Sequence, residues 1–514
     1  MRKLRRSVFA SLAMMMLGVG LLVGPATAST AIGATKITNG GQLVIDVNGT
    51  WLSLDPASAK GITIPFPVYQ EMFMTRGNNT LAPELGLTHK FANSGMTYEI
   101  TLRQGVNFSD GTPFNAQAAA FNLNRYNAPG TDCDGYVNGV ISSVTVTGAY
   151  SLNVNLSRPD AALPAILSNI YCGPMVSPAA VATYGSTYAL HPVGTGPFTY
   201  TSGVPGNTAV LTANSSYWGT KPHLAGVTIQ ASPVEASTWS NLTSGNANVW
   251  YAADGILYGS QAKAAGYNVL RDPAATQNYF QISTQNGPFT NQLARKAVIE
   301  AINVKSIINN VLNHQVTYDV GPIVPSMLGY VPPDKVKGAV VYNPTDARKL
   351  VSQLGGIAFT LGYSTGNQLL ATIVTVEQQM FAAVGMTVTL QPLSSTVFLQ
   401  EELADHYMTL QTIGGSANAD PDLFFATRFD SAAPDNEFGL KNPTVDSLIA
   451  KGETTLTQAA RVPIYQKLNA YIASTALCQD EIGTNPPFYF SDKNVHNFTP
   501  NQYGWFDWTQ VWMG

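Results

Sequence analysis

The sequence predicts an α/β protein of more than one domain, and three observations support this. Strand patterns and helix patterns alternate over much of the chain, which is typical of sheets covered by helices. The segment IAFTLGYSTGNQLLATIVTVEQQMFAAVGMTVTLQPL, residues 357–393, has the order strand, turn, long helix and strand, and so predicts a parallel strand pair. With 514 residues the chain exceeds one ordinary hydrophobic core, so we expect two or three domains.

The amino-terminal residues have the pattern of a secretory signal peptide. The basic start MRKLRR precedes the apolar stretch SVFASLAMMMLGVGLLVG, and ATA at residues 26–28 is a small-residue cleavage site. Glycines and Pro25 interrupt the apolar stretch, which favours a removed signal over a membrane anchor. No cysteine lies near the cleavage site to carry a lipid. We therefore predict a signal peptide over residues 1–28 and an exported, soluble mature protein in the periplasmic space or outside the cell.

The composition limits the partners that this protein can have. Charged residues make up 11% of the chain, against about 25% in average soluble domains, while the hydrophobic share of 45% is ordinary. The formal net charge is −4, and no Lys/Arg-rich run follows the first six residues. Nucleic acid is therefore excluded as a partner, because its phosphates require basic patches. No later stretch reaches the roughly 18 uninterrupted apolar residues that a membrane span requires.

The first predicted elements are two strands and a helix. GQLVIDVNGTWLSLDPA, residues 41–57, predicts a strand followed by a turn. Apolar and polar residues alternate over residues 97–102, which predicts a half-buried strand. The pair Asp110-Gly111 predicts a turn, and Asn115 is a good N-cap for the helix that follows.

The next elements continue the alternation. SSVTVTGAYSLNVNL, residues 142–156, predicts a hairpin, and residues 191–202 and 213–229 each predict a loop that leads into a strand. Apolar residues recur at helical spacing over residues 291–312, which predicts one amphipathic helix.

Cysteine and histidine usage gives no indication of a metal site. Export makes a disulfide possible, and Cys133–Cys172 is the favoured pair because both lie in one region of the sequence, which leaves Cys478 unpaired. No CxxC motif or Cys/His cluster occurs, and the six histidines are scattered singly. Neither a metal site nor a cofactor is therefore predicted.

Several segments, in this order along the chain, resemble the signatures of one family, the family 5 extracellular solute-binding proteins. These are the oligopeptide-, dipeptide- and nickel-binding receptors of bacterial ABC importers. The resemblance covers essentially the whole mature chain. Its segments are SLDPA (53–57), LRQGVNFSDGTPFNAQ (102–117), PVGTGPFTY (192–200), NSSYWGTKPHLAGVTI (214–229), GPFTNQLARKAVIEAIN (287–303), YNPTDARKLVSQLG (342–355) and DPDLFFATRF (420–429).

The resemblance implies a two-lobed fold like that of periplasmic binding proteins. Two α/β lobes would be joined by a hinge of two crossing strands near residues 270 and 485. Lobe I would span residues 29–272, with an extra subdomain over about 85–185. Lobe II would span residues 273–484, and residues 485–514 would return to lobe I.

The resemblance also implies a binding function without catalysis. The protein would be a monomeric receptor that captures a peptide or a similar small solute between its lobes and delivers it to a membrane permease. An oligosaccharide or a nickel chelate remains an alternative ligand. A secreted serine hydrolase is a further alternative, because GYSTG at residues 362–366 matches a nucleophile motif around Ser364, with Asp405 and His406 downstream. Adjacent Asp and His side chains rarely point the same way, and no second oxyanion motif is present, so this alternative is not favoured.

The ligand-binding residues implied by the resemblance are aromatic and polar. Flat side chains at the lobe interface can sandwich a ligand, and the candidates are Trp250, Tyr251 and Tyr279. In peptide-binding relatives a carboxylate beside a DP motif captures the ligand's ammonium group. The polar candidates here are Ser416, Asn418 and Asp420.

The polar candidates depart from the family pattern at one position. Relatives often carry a further Asp three residues before the DP motif, where this chain has Ala417, which casts doubt on ammonium capture. Asp420 could substitute for that Asp, or it could cap the helix that follows. Asn246, Asn303 and Asn343 also occupy positions where relatives often carry Asp, and with the low charge content they suggest an external medium that is acidic or otherwise unfavourable to carboxylates.

Overall fold

The structure is a computed structural model, and it describes most of the chain from residue 37 to residue 514. The ranges outside the description are 1–36, 49–50, 52, 59–65, 77–79, 138, 233, 253–254, 272–275, 366–367, 395–396, 399–408, 417–419, 434–435, 437, 478, 486–487 and 501–505. For residues 276–281, 409–416 and 479–485 only the backbone is described. The predicted signal peptide and Cys478 therefore lie outside the described residues.

The described residues form short and medium strands. In chain order these are β1 (Gln42–Asn48), β2 (Phe73–Arg76), β3 (Thr80–Pro83), β4 (Gly86–Ala92), β5 (Thr97–Leu102), β6 (Ile141–Gly148), β7 (Ser151–Leu156), β8 (Phe198–Val204), β9 (Thr208–Ala213), β10 (Gly226–Ser232), β11 (Val249–Ala252), β12 (Asn268–Arg271), β13 (Thr276–Ile282), β14 (Ala358–Ser364), β15 (Thr387–Leu393), β16 (Thr409–Ser416), β17 (Gln479–Asn485), β18 (Phe488–Ser491), β19 (Val495–His496) and β20 (Trp512–Met513).

Helices alternate with these strands. They are α1 (Ala116–Tyr126), α2 (Asp134–Val137), α3 (Leu163–Ile166), α4 (Pro178–Tyr184), α5 (Glu235–Thr243), α6 (Gly259–Ala264), α7 (Gln292–Ala301), α8 (Val304–Asn310), α9 (Pro344–Gln353), α10 (Gln368–Ala383), α11 (Asp422–Arg428), α12 (Pro443–Thr454) and α13 (Gln458–Thr475). Within the described part of the chain, no helix combines the length and the apolar character needed to cross a membrane.

Three sheets organise the described residues. A first sheet of seven strands has the order β12-β18-β11-β1-β10-β9-β8, and a second sheet of five strands has the order β15-β14-β16-β13-β17. A third sheet has the order β4-β5-β7-β6 and is antiparallel throughout. The first two sheets are mixed, because β1 runs parallel to β10 and β11, and β14 runs parallel to β15 and β16.

The chain passes between the first and second sheets twice. It leaves the first sheet after β12 and enters the second at β13, and it returns between β17 and β18. The flanking strand ends are Arg271 and Thr276 for the first connection and Asn485 and Phe488 for the second, and the crossings were expected near residues 270 and 485. The lobe and subdomain boundaries given above stay predictions.

The strand–turn–helix segment predicted over residues 97–126 is confirmed. Strand β5 spans Thr97–Leu102, and the Asn115 side chain caps α1 by accepting the Ala118 N–H at 3.0 Å. The Asp110 carboxylate fixes the turn before the helix, since it accepts the Thr112 N–H at 2.9 Å and the Ser177 hydroxyl at 2.5 Å. This segment therefore contributes strand β5 to the third sheet, and its turn is hydrogen-bonded to Ser177, the N-cap of α4.

The first signature segment, SLDPA, is held by the same helix. Asp55 accepts the Ala57 N–H at 3.1 Å, which shapes the turn, and both of its carboxylate oxygens receive the Arg125 guanidinium of α1. A bidentate pair of this kind fixes orientation as well as distance. The loop after β1 is thus attached to the third sheet's helix.

Other predicted elements are confirmed, and one is wrong. Strands β6 and β7 form the predicted hairpin, and β14, α10 and β15 form the predicted parallel unit. The predicted disulfide Cys133–Cys172 is present. The single helix predicted over residues 291–312 is instead two helices, α7 and α8. The chain leaves the helical conformation at Ile302 and Asn303, and Asn303 then caps α8 by accepting the Ser306 N–H at 3.0 Å.

Candidate ligand-binding site

The parallel strands of the first sheet end together at one edge. Asn48 at the end of β1 pairs with Ser232 at the end of β10, and β11 ends alongside at Ala252. Ala252 and Arg271 of β12 both lie opposite Phe488, the first residue of β18. Both passages between the sheets therefore attach to the carboxyl-terminal edge of the first sheet.

The second sheet meets the same passages at its own carboxyl-terminal edge. Thr276, which begins β13, lies opposite both Ser416 at the end of β16 and Asn485 at the end of β17. Parallel strands β14 and β15 end side by side at Ser364 and Leu393. In open α/β sheets ligands bind outside the carboxyl ends of the strands. The strand ends of both sheets beside these connections are therefore the candidate site.

The candidates Trp250 and Tyr251 lie on β11, next to the first edge, and both are core side chains. Trp250 is 0% exposed; its indole N–H donates to the Asn48 Oδ1 at 2.5 Å and its ring centre lies 4.8 Å from that of Tyr258. Tyr251 is 8% exposed and packs against Tyr489 at 4.9 Å. These contacts give both residues a packing role, and their contact with a ligand stays a prediction.

Three further candidates follow the strands of the second sheet. Tyr279 lies in the middle of β13, opposite Thr412 of β16, and Ser416 ends β16. The backbone thus places Ser416 at the candidate site, whereas the side chains of Tyr279 and Ser416 and the whole of Asn418 lie outside the described residues.

Asp420 is buried at the beginning of α11. Its two carboxylate oxygens receive the Arg461 guanidinium, with Nη2 to Oδ1 at 2.8 Å, and Oδ1 also accepts the Asp422 N–H at 3.1 Å. The side chain therefore initiates the helix and neutralises a buried arginine. Ammonium capture would require the same carboxylate to serve a ligand as well, and that role stays a prediction.

The structure adds acidic neighbours to Asp420 that sequence reasoning missed. Tyr465 donates its hydroxyl to Asp422 at 2.9 Å, and Arg158 pairs with Glu453 at 3.1 Å. Burial raises the pKa of Asp422 to about 8, and the charge of the nearby Asp160 adds to the shift. Arg158 and Glu453 are 295 residues apart in the sequence, so no local spacing pattern could have predicted this cluster.

The hydrolase motif lies at the same edge as the candidate site. Ser364 ends β14, while Asp405 and His406 lie outside the described residues.

Among the residues that are described, no group of three or more His, Cys, Asp or Glu side chains is placed to hold a metal ion.

Comparison with known families decides the membership of this chain. The model of the "Bacterial extracellular solute-binding proteins, family 5 Middle" matches residues 80–436. The chain belongs to the family 5 bacterial extracellular solute-binding proteins. The resemblance stated from the sequence is thereby confirmed.

Individual relatives of this family 5 protein are distant but cover nearly the whole chain. The glutathione-binding protein GsiB of Pectobacterium atrosepticum is 26% identical over 484 residues, which is 90% of each chain. The periplasmic binding protein DppA of Helicobacter pylori, solved with the peptide STSA, has a TM-score of 0.81 at 21% identity and covers 93% of this chain and 98% of its own. The dipeptide-binding protein of Pseudoalteromonas sp. SM9913, solved with Met-Leu, has a TM-score of 0.82 at 19% identity and covers 92% and 100%.

These structural matches confirm the predicted two-lobed α/β fold. The first and second sheets both contain parallel strands, and the chain passes between them after β12 and after β17. The candidate site thus lies at the strand ends beside the two connections between the first and second sheets.

Proposed function

We propose that this family 5 protein binds a peptide or a similar small solute between its lobes and presents it to the membrane permease of an ABC importer. The observation that carries the proposal is the meeting of both carboxyl-terminal sheet edges at the two connecting passages. Hinge bending at such passages opens and closes a cleft, and the closed form buries the ligand.

The names of the relatives support a peptide ligand. GsiB is named for glutathione, which is a modified tripeptide, and two of the similar structures hold short peptides. A peptide held through its main chain needs few specific side chains. Ala417 supplies no charge and Asp420 already pairs with Arg461, so we propose that the ligand's ammonium group is not a principal anchor.

We further propose that the protein performs no catalytic step. The relatives that it resembles over its whole length are named as binding proteins. Ser364 would then be a residue of the cleft edge with no nucleophilic role. The protein would reach the outside of the cytoplasmic membrane through the signal peptide predicted over residues 1–28.

Native mass spectrometry of the gently purified protein tests the ligand. We expect added masses that denaturation releases as a mixture of short peptides, and ester or peptide substrates incubated with the protein should remain intact. If the preparation is empty, calorimetric titration with the peptide Ser-Thr-Ser-Ala should show binding. A single non-peptide solute or bound nickel would overturn the peptide assignment.

A matched pair of variants tests the position of the site. Tyr279→Ala should weaken peptide binding by about tenfold or more, since it removes an aromatic surface on β13. Tyr342→Ala removes an equally large ring that is 45% exposed on the second lobe, and it should leave binding unchanged. Equal peptide affinities for the two variants would show that the binding site does not include Tyr279 of β13.

A further inference from the structure

A second contact joins the two lobes away from the connecting passages. Residues 158–162, which follow β7 of the third sheet, pack against Asp420, Asp422, Glu453 and Arg461 of the second lobe, and we call this contact the seam. The Ala161 N–H donates to the Glu453 carbonyl oxygen at 2.7 Å, and Arg158 Nη2 lies 3.1 Å from Glu453 Oε1.

Apolar packing shows that the seam is tightly closed. Leu423 of α11 is 3% exposed and belongs to the hydrophobic cluster of the third sheet. A Cβ atom built on Gly95 would lie 3.0 Å from both Leu456 and Pro159, so the two lobes approach each other closely there. The charged groups between them are therefore shielded from water.

The buried charges of the seam do not balance when all of them are ionised. Four carboxyl groups, of Asp160, Asp420, Asp422 and Glu453, are each at most 5% exposed, and they face the guanidinium groups of Arg158 and Arg461. Burying unpaired ionised carboxylates is costly, so the shortage of cations favours protonation.

Other titratable and charged groups face the seam from the packed elements. Tyr465 of α13 donates to Asp422, and Asp430, just after α11, adds its charge to the environment of Glu453. Arg428 of α11 faces Tyr171 on the third-sheet side, where Asp132 also lies close. Arg428 is the one cation in this set, and its guanidinium carbon lies 5.1 Å from the centre of the Phe424 ring.

The same surroundings shift the titration of three carboxyl groups. Burial raises the pKa of Asp160 to about 7, with the Glu453 charge adding to it. Burial and the Asp160 charge raise the pKa of Asp422 to about 8. Burial and the Asp422 charge raise the pKa of Glu453 to about 7.

We propose that the seam is a pH-dependent latch: it holds the lobes together while the carboxyl groups of Asp160, Asp422 and Glu453 carry protons, and it weakens as rising pH ionises these three groups. The inference rests on the proposed function only in that opening and closing of the lobes governs capture and release. It depends on the contact between the lobes, not on which ligand is bound.

The direction of the effect follows from proton linkage. Once the lobes separate, the carboxyl groups meet water and their pKa values return to about 4. The closed form therefore binds more protons than the open form between about pH 4 and pH 8. Closure is strongest at the acidic end of this range and is lost progressively as the pH rises through 7 and 8.

Hydrogen exchange at the seam, without added ligand, tests the latch. The Ala161 amide reports directly, because its hydrogen bond spans the two lobes. After correction for intrinsic exchange, peptides containing Ala161 should exchange at least about tenfold faster at pH 8.5 than at pH 5.5, which corresponds to one pKa unit of coupling. Peptides from strand β5 should show no such change, and small-angle X-ray scattering should show a larger radius of gyration at pH 8.5.

Isosteric neutral variants separate the latch from general pH effects. The triple variant Asp160→Asn, Asp422→Asn, Glu453→Gln keeps the acceptors for Ala162 N–H and Tyr465, and it should stay closed with a flat pH profile. The matched control is Glu71→Gln, which neutralises a buried carboxyl group beside Glu84 in the first lobe, away from the seam. This control should keep the pH response of the unmodified protein.

Three outcomes would overturn the latch. These are a flat profile in the unmodified protein, a pH response that survives in the triple variant, and a response that Glu71→Gln abolishes. The profile of the unmodified protein decides the matter even if the triple variant fails to fold. Because no ligand is used, failure of the latch leaves the proposed receptor function untouched, and an empty binding site leaves the latch untouched.

Discussion

At the scale of single residues, the role of Asp420 in the DP motif depends on Arg461, a partner 41 residues away in the sequence. Arg461 is buried, and besides Asp420 it donates to the Gly452 carbonyl oxygen at 3.0 Å and to the Tyr465 hydroxyl at 2.7 Å. A buried pair of this kind contributes little net stability, but removal of one partner leaves an uncompensated charge.

Arg461→Met should therefore lower the free energy of unfolding by about 3–5 kcal/mol at pH 7, as measured by urea denaturation. The double variant Asp420→Asn, Arg461→Met should lose less than the sum of the two single variants by about 1–3 kcal/mol, because the Asp420 carboxylate is no longer buried without its guanidinium partner. Strict additivity of the two losses would show that the residues do not act as a pair.

The residue scale is also where sequence prediction reached least far. The pattern around Asp420 suggested either ammonium capture or helix capping, and the contacts found belong to a helix start. Neither Arg461 nor Asp160 could be connected with Asp420 from sequence, since partners across a seam share no local spacing. Only the family resemblance predicted that Trp250 and Tyr251 contact a ligand. Both side chains are buried because β11 is covered by packed residues on both of its faces.

At the scale of elements, asparagine is a recurrent helix cap. In five helices the side-chain oxygen of the capping asparagine accepts a hydrogen bond from a backbone N–H of the first turn. The caps of α1, α7, α8, α9 and α12 are, in this order, Asn115, Asn291, Asn303, Asn343 and Asn442. An amide oxygen accepts a hydrogen bond at any pH, whereas an aspartate loses its charge near pH 4. The caps are consistent with an acidic medium, as the low charge content suggested.

Asn115→Asp tests this consequence on a helix with no acidic residue in its first turn. At pH 7 the new carboxylate should raise the free energy of unfolding by about 0.3–1 kcal/mol, since a negative charge is favourable at a helix amino terminus. The helix depresses the folded pKa of this Asp below about 3.9, so the gain is lost as the pH falls through that value.

Chemical denaturation at pH 7 and at pH 3 measures the free energy of unfolding with the new carboxyl group ionised and with it protonated. Asn115→Ala is the control, and it should lose about 1 kcal/mol at both pH values because it has no acceptor. An Asn115→Asp gain that persists at pH 3 would contradict the account.

Element prediction succeeded where local chemistry decides the structure and failed where packing does. The cap at Asn115, the hairpin of β6 and β7 and the unit of β14, α10 and β15 each follow from turn residues and periodicity. The single helix expected over residues 291–312 is interrupted at Ile302, which adopts an extended conformation, and at Asn303, whose φ of −88° and ψ of 77° are also non-helical. Apolar residues keep their helical spacing from α7 into α8, so periodicity alone does not predict the interruption between the two helices.

At the scale of the whole molecule, the sequence predicted the class and the two passages between lobes, the latter through family resemblance. The signal peptide predicted over residues 1–28 belongs to this scale as well, because it would determine where the protein is found. We expect the exported protein to begin at Ser29, which intact-mass measurement and amino-terminal sequencing of protein from outside the cytoplasmic membrane would check. A mature protein that retains residues 1–28 would establish an anchor, and substitution of Ala26 and Ala28 by bulky residues should block processing while Thr27→Ser should not.

The position of β18 has a consequence for how the protein is made. This strand lies between β11 and β12 inside the first sheet, although it begins only at residue 488 of the 514-residue chain. While the ribosome is still synthesising the polypeptide, the first lobe lacks an interior strand and its long-range pairings form slowly. Among the described strands β12 joins this sheet through β18, so the first sheet cannot take up β12 until residues 488–491 have been synthesised.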